Sequence, residues 1–171
     1  MNSSTSHPKI AFLDTSVASA LAKGELSSAD SLAFVMIAEA VSRSDLTLWT
    51  STIMKSEMNR IPQPYREAHL DQYNALRTVT AAPTTNWIDD RPGSTSFGES
   101  ILHPTFKLLA EILPDRTDAE LVFQAKAHNV ADFITVDRRT ILSHAPELRA
   151  KIGLNAWSPS DYVSQVLRRS V

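Results

Sequence analysis

Short apolar runs alternate with longer stretches of helical periodicity along this chain. "KIAFLD" (9–14) is an apolar run ending in an acid and reads as a buried strand. "TSVASALAKG" (15–24) is alanine-rich and stops at Gly24, a helix C-cap signal. "SSADSLAFVMIAEAVSRSD" (27–45) predicts a long helix with Leu32, Val35, Met36, Ala40 and Val41 turned inward. "LTLWT" (46–50) alternates and predicts a second strand. "STIMKSEMNRI" (51–61) predicts a helix closed off by Pro62 and Pro64, and "YREAHLDQYNALR" (65–77) an amphipathic helix. "TVTAA" (78–82) is a weak strand pattern. "PTTNWIDDRPGSTSFGES" (83–100) carries turn residues and little periodicity, which predicts a long loop or insertion. Helices are predicted over "TFKLLAEIL" (105–113), ended by Pro114, and "TDAELVFQAKAHNV" (117–130). "DFITV" (132–136) is a further strand, "RRTILSH" (138–144) a short helical turn before Pro146, and "GLNAWS" (153–158) a last strand. "PSDYVSQVLRR" (159–169) closes the chain as a helix with Pro159 near its first position. Residues 1–8 read as a loose polar arm. With no repeat and no linker, the pattern predicts one domain over 1–171, an α/β fold on a largely parallel sheet.

Composition narrows the function classes. At 171 residues and 43% hydrophobic content the chain can bury one core, and 21% charged residues argue against disorder. The net charge of −2 gives no global basic footprint, so any contact with nucleic acid would need a local patch. The absence of cysteine excludes a disulfide scaffold, a thiolate zinc site and a cysteine nucleophile. The opening "MNSSTSHPKI" lacks the regions of a signal peptide, and no apolar run approaches the ~20 residues needed to span a bilayer. The expectation is a cytoplasmic protein without a membrane partner.

Four acids stand out by position. In an open parallel sheet, ligands bind beyond the carboxyl ends of the strands. Asp14 ends the first strand and Asp137 the strand at 132–136, so both point to the same sheet edge. The ordinary alternative for each is a helix N-cap or first-turn acid. Glu57 lies in or beside the stripe of Ile53, Met54, Met58 and Ile61, where an unpartnered carboxylate would be expensive. Its ordinary alternative is an ion pair with Arg60 or a stripe edge that reaches water. "TDAE" fits a capping box with Thr117 at N-cap and Glu120 at N3, which puts Asp118 at N1, heading the face of Leu121, Val122 and Ala125. Asp115 is then expected outside the cap, in solvent. Four converging carboxylates would repel one another and call for a cation. With neither cysteine nor a paired-histidine motif, the donors are hard oxygens, which suit Mg²⁺ or Mn²⁺ and phosphodiester chemistry.

At this point the chain resembles the PIN-domain nucleases. The matching pieces are "FLDTSV" (12–17), "TSTIMKSEMNRI" (50–61), "TDAELVFQAKAHNVADFITVDRR" (117–139) and "WSPSDYV" (157–163). The resemblance implies a three-layer α/β/α sandwich with a mostly parallel central sheet and a metal-dependent endoribonuclease, with Asp14, Glu57, Asp118 and Asp137 as the acidic quartet. It gives Thr135 and Ser16 as hydroxyls that orient ligands or water, with plain strand and cap roles as the alternative. Many bacterial members that look like this chain are VapC-type toxins held by a cognate antitoxin and forming homodimers, so RNA, an antitoxin and a second copy are the implied partners. The stretch 81–116 is longer than in the compact toxins.

The implied reaction is in-line attack of water on a phosphodiester, leaving a 5′-phosphate and a 3′-hydroxyl. Asp14, Asp118 and Asp137 would hold Mg²⁺, and Glu57 would complete the site, bind a second ion or orient the water. Arg138, Arg139, Lys55 and Arg60 could form the basic rim that the net charge lacks, or be ordinary surface charges. Two other acid-rich α/β enzymes fit less well. A haloacid-dehalogenase-like phosphatase wants a second Asp where Ser16 stands, and a receiver domain wants an acidic pair near the first strand. A non-toxin nuclease and a PIN-like interaction module without activity remain the alternatives.

Overall fold

A computed structural model describes residues 8–51, 61–71, 74, 86–88 and 103–168. Five strands form one all-parallel sheet: β1 (Lys9–Leu13), β2 (Leu46–Ser51), β3 (Asn86–Ile88), β4 (Asp132–Ile134) and β5 (Asn155–Trp157), in the order β3-β2-β1-β4-β5. β1 is central, and Ala11, Phe12 and Leu13 are all buried, as a parallel strand covered on both faces requires. Successive side chains of a strand point to opposite faces, and the packing follows that alternation. Ala11, Leu13 and Ile134 join one core with α1 (Thr15–Lys23) and α2 (Ser28–Ser42). Phe12 and Phe133 stack at 5.2 Å on the other face. There they meet α3 (Pro104–Ile112), α4 (Arg116–Ala127) and α5 (Ala145–Ile152). One core on each side of a parallel sheet is compatible with a three-layer α/β/α sandwich.

The helix boundaries have local causes. α1 stops at Gly24, whose φ of 66° lets its N–H reach back to the Ala20 and Leu21 carbonyls. α2 opens on Ser27, whose hydroxyl accepts the Asp30 amide. α6 (Pro159–Tyr162) opens on Ser158 with Pro159 in its first turn, as expected, and runs on into the wider turns of Val163–Leu167.

Four differences from the sequence reading carry information. The stretch 83–100 is not wholly loop, because Asn86–Ile88 pairs with Trp49–Ser51 as an edge strand. Three residues among turn formers carry no periodic signal, and pairing with β2 supplies what the local sequence lacks. α2 buries Ala33, Ile37, Ala40 and Val41, while Leu32 and Val35 are 64% and 53% exposed. The helix is apolar on several sides, so composition does not set its rotation. Asp30 does, by accepting the Ser160 N–H (3.1 Å) and Oγ–H (2.8 Å) from α6. The chain also forms α5 after a single turn of 3-10 helix at Leu142–His144, where only a short helical turn was expected. The N-cap of α4 is Asp115, not Thr117: its Oδ1 accepts Thr117 N (2.7 Å) and Asp118 N (3.3 Å). Asp115 is exposed as expected, but it starts the helix and moves Asp118 from N1 to N3. The predicted helix 51–61 lies outside the described residues except for its two ends, as does the weak strand at 78–82. Of the predicted helix 65–77, residues 66–71 are helical.

Candidate active site at the carboxyl edge of the sheet

Strand order reverses at β1. The chain moves outward through β2 and β3, then returns to place β4 on the other side of β1. Such a reversal opens a crevice beyond the carboxyl ends of the two central strands. Asp14 follows β1 directly, and Asp137 lies three residues beyond β4. A cleft of about 300 Å³ opens there, lined by Asp14, Thr15, Ser16, Ser19, Ile61, Asp118, Leu121 and Asp137. Three of the four predicted acids, from distant parts of the chain, therefore meet at one place.

Asp14 is 3% exposed. It occupies the N-cap position of α1, yet its side chain makes no capping bond. Its Oδ2 instead accepts from Ser16 Oγ (2.5 Å) and Thr135 Oγ1 (2.7 Å). Each hydroxyl has one proton, and both are committed to Asp14, so the 3.0 Å approach of Ser16 to Thr135 is close packing between oxygens. The same two oxygens accept backbone N–H groups from the next turn: Val136 N to Ser16 Oγ (3.2 Å) and Asp137 N to Thr135 Oγ1 (3.0 Å). Thr135 and Ser16 thus bridge the loops after β1 and β4.

Asp137 does the local work that Asp14 does not. Its Oδ1 accepts Arg139 N (2.9 Å) and Thr140 N (2.8 Å), and its Oδ2 accepts Thr140 Oγ1 (2.5 Å). Burial alone would raise its pKa, but these bonds, with the Arg139 charge, hold it below the usual carboxylate value. Among the described residues, this leaves Oδ2 one lone-pair site for a ligand.

Asp118 is half-buried and behaves oppositely. Burial pushes its pKa up to about 6; a hydrogen bond with Thr140 opposes the rise, and the charges of Asp14, Asp115 and Asp137 add to it. Protonating Asp118 removes one of three neighbouring negative charges, the role that a cation would fill among ionised carboxylates.

Not every expected residue is placed here. Glu57, Lys55 and Arg60 lie outside the described residues. Arg138 is 75% exposed, and its guanidinium sits 3.8 Å from Asp30 Oδ2. The sequence reading missed Thr140, although an acid with a threonine three residues on is a capping spacing. It also missed Ser19 and Thr15, which no local pattern marks.

The donor set is all hard oxygen and carries excess negative charge, which fits Mg²⁺ or Mn²⁺. It is not a finished cage: among the described residues no three acidic or histidine side chains stand ready to hold an ion. Neither the comparison with protein-family models nor that with curated proteins gives a match, so the functional reading rests on this cleft and its residues.

Proposed function

We propose that this protein is a PIN-like endoribonuclease that hydrolyses RNA phosphodiester bonds with Mg²⁺ or Mn²⁺. The supporting observation is the meeting of Asp14, Asp118 and Asp137 in one cleft at the reversal of strand order. Asp14, Asp118 and Asp137 would hold the ion, with Glu57 as the proposed fourth acid. When bound, the ion would polarise the phosphate and lower the pKa of a coordinated water. The chain's own part is to prepare the place. Ser16 and Thr135 fix the rotamer of Asp14 through Oδ2. Thr140 and two backbone amides fix Asp137. A bound cation would favour the ionised form of Asp118, because its positive charge would offset the burial and neighbouring charges that raise the pKa. Leu121 and Ile61 supply apolar wall. Arg139, two residues beyond Asp137 and near enough to lower its pKa, is a basic group for a neighbouring phosphate.

A toxin role, with a cognate antitoxin and a homodimer in the cytoplasm, is the biological form proposed for this activity. Co-expression tests it: growth arrest by the wild type, relieved by the product of the adjacent small reading frame, supports it.

Incubation of purified protein with single-stranded RNA and Mg²⁺ or Mn²⁺ tests the chemistry. Cleavage leaving 5′-phosphate ends is expected, reduced on the order of 10²–10³-fold in Asp14→Asn. Ion binding without cleavage would instead identify an interaction module. Neither binding nor cleavage would remove the nuclease reading altogether.

A further inference from the structure

One wall of the cleft holds a polar pair that the proposed chemistry leaves unused. Ser19 lines the cleft from α1, one turn beyond Thr15 and Ser16. Behind it stands His69, from the helical stretch 66–71, only 2% exposed. His69 Nδ1 lies 2.8 Å from the Tyr65 carbonyl oxygen, and Nε2 lies 3.4 Å from Ser19 Oγ. A carbonyl can only accept, so in the Nδ1–H tautomer that bonds Tyr65 the other nitrogen, Nε2, is an acceptor. In that tautomer Ser19 is the donor of the 3.4 Å contact. Among the described residues, its oxygen lone pairs are what remains to face the cleft.

Ser19 therefore presents an acceptor and cannot donate to a phosphate oxygen without breaking with His69. The sugar–phosphate backbone of DNA offers only acceptors. RNA adds one donor per nucleotide, the 2′-hydroxyl, which is what lets a protein tell the two apart. We propose that Ser19, oriented by His69, is the group that selects ribose over deoxyribose by accepting a hydrogen bond from the substrate 2′-hydroxyl. Ser19 is a contact residue and His69 a positioning residue. The inference rests on the nuclease reading of the same cleft and adds to it the residue that reads the ribose.

Binding rather than turnover tests it. A short fluorescent single-stranded RNA and the same sequence as DNA are titrated with the protein in Ca²⁺, and anisotropy is read. The wild type should bind the ribose strand about tenfold more tightly, the worth of one good hydrogen bond. Ser19→Ala should bring the ratio close to one by weakening the ribose strand alone, and Ser19→Thr, which keeps a hydroxyl, should restore it. His69→Leu should also lower the ratio, now by tightening the deoxyribose strand, because the freed hydroxyl can turn and donate to phosphate. If His69→Leu does not fold, the two Ser19 variants decide alone. Equal binding of both strands by the wild type, an unchanged ratio in Ser19→Ala, or binding of neither strand overturns the inference. A ribose preference carried by Ser19 in a protein that cleaves nothing in Mg²⁺ would sink the nuclease reading and leave this one standing.

Discussion

The raised pKa of Asp118 has a direct consequence for stability. Its carboxyl binds a proton more tightly in the folded protein (about 6) than in the unfolded chain (3.8). Folding stability from this group is therefore complete below about pH 3.8 and falls away as the pH rises through about 6. Full conversion of the shift would overstate the effect, since the group is only half-buried; about 1 kcal/mol remains after screening. Asp118→Asn should thus raise Tm by about 2–4 °C at pH 7.5, with the gain vanishing near pH 4, in melts across that range. Saturating Mg²⁺ should reverse the order at pH 7.5 by stabilising the wild type more. Thr140→Val removes the hydroxyl shared by Asp137 and Asp118. It should cost about 1–2 kcal/mol and push the Asp118 pKa higher, read by carboxyl NMR titration. At this scale the sequence was partly legible. Asp14 and Asp137 stand out because each ends an apolar run, and Asp118 because it heads a buried stripe. Thr140 became visible only with its partners in place. Ser19 and His69 are about fifty residues apart in sequence, and nothing local to either predicts the other.

Most elements with local signals were legible in the chain, though α5 was missed despite Pro146 in its first turn and Gly153 at its C-cap, and elements set by tertiary contact were not legible. β1, β2, β4 and β5 are short apolar runs, and Gly24 ends α1 where its backbone freedom is needed. β3 depends on β2 to exist, and the rotation of α2 depends on Asp30 meeting Ser160. That rotation predicts unequal sensitivity along one helix. Ile37→Ala should cost about 2–4 kcal/mol in urea denaturation, while Leu32→Lys and Val35→Lys should stay within about 0.5 kcal/mol. An inward Leu32 and Val35 would give the reverse. At Gly24 a Cβ would meet no atom within 4 Å, so Gly24→Ala tests backbone conformation alone. A loss of about 1 kcal/mol is expected from its φ of 66°.

For the whole molecule, topology rather than composition brings the chemistry together. A net charge of −2 gives little non-specific attraction for a polyanion, so few phosphates should be contacted. Binding of RNA should then weaken only slightly between 50 and 200 mM salt, with a logarithmic slope shallower than about −3. A steep slope would reveal a basic surface beyond the cleft. The sheet's own bonding also runs past the last formal strand residues into the cleft: Asp14 N donates to Ile134 O (2.9 Å) and Thr135 N to Trp157 O (2.9 Å). The floor is thus a continuation of the central ladder, whereas Ser19 and Ile61 stand on its wall. Amide hydrogen exchange should separate the two. The protons of Asp14, Thr135 and Asp137 should be released only when the entire molecule opens, as slowly as those of Phe12 and Phe133, and those of 66–71 sooner. A guest entering the cleft would then find its base already rigid and would have to order only the wall, so its binding should alter exchange there and leave the base unchanged.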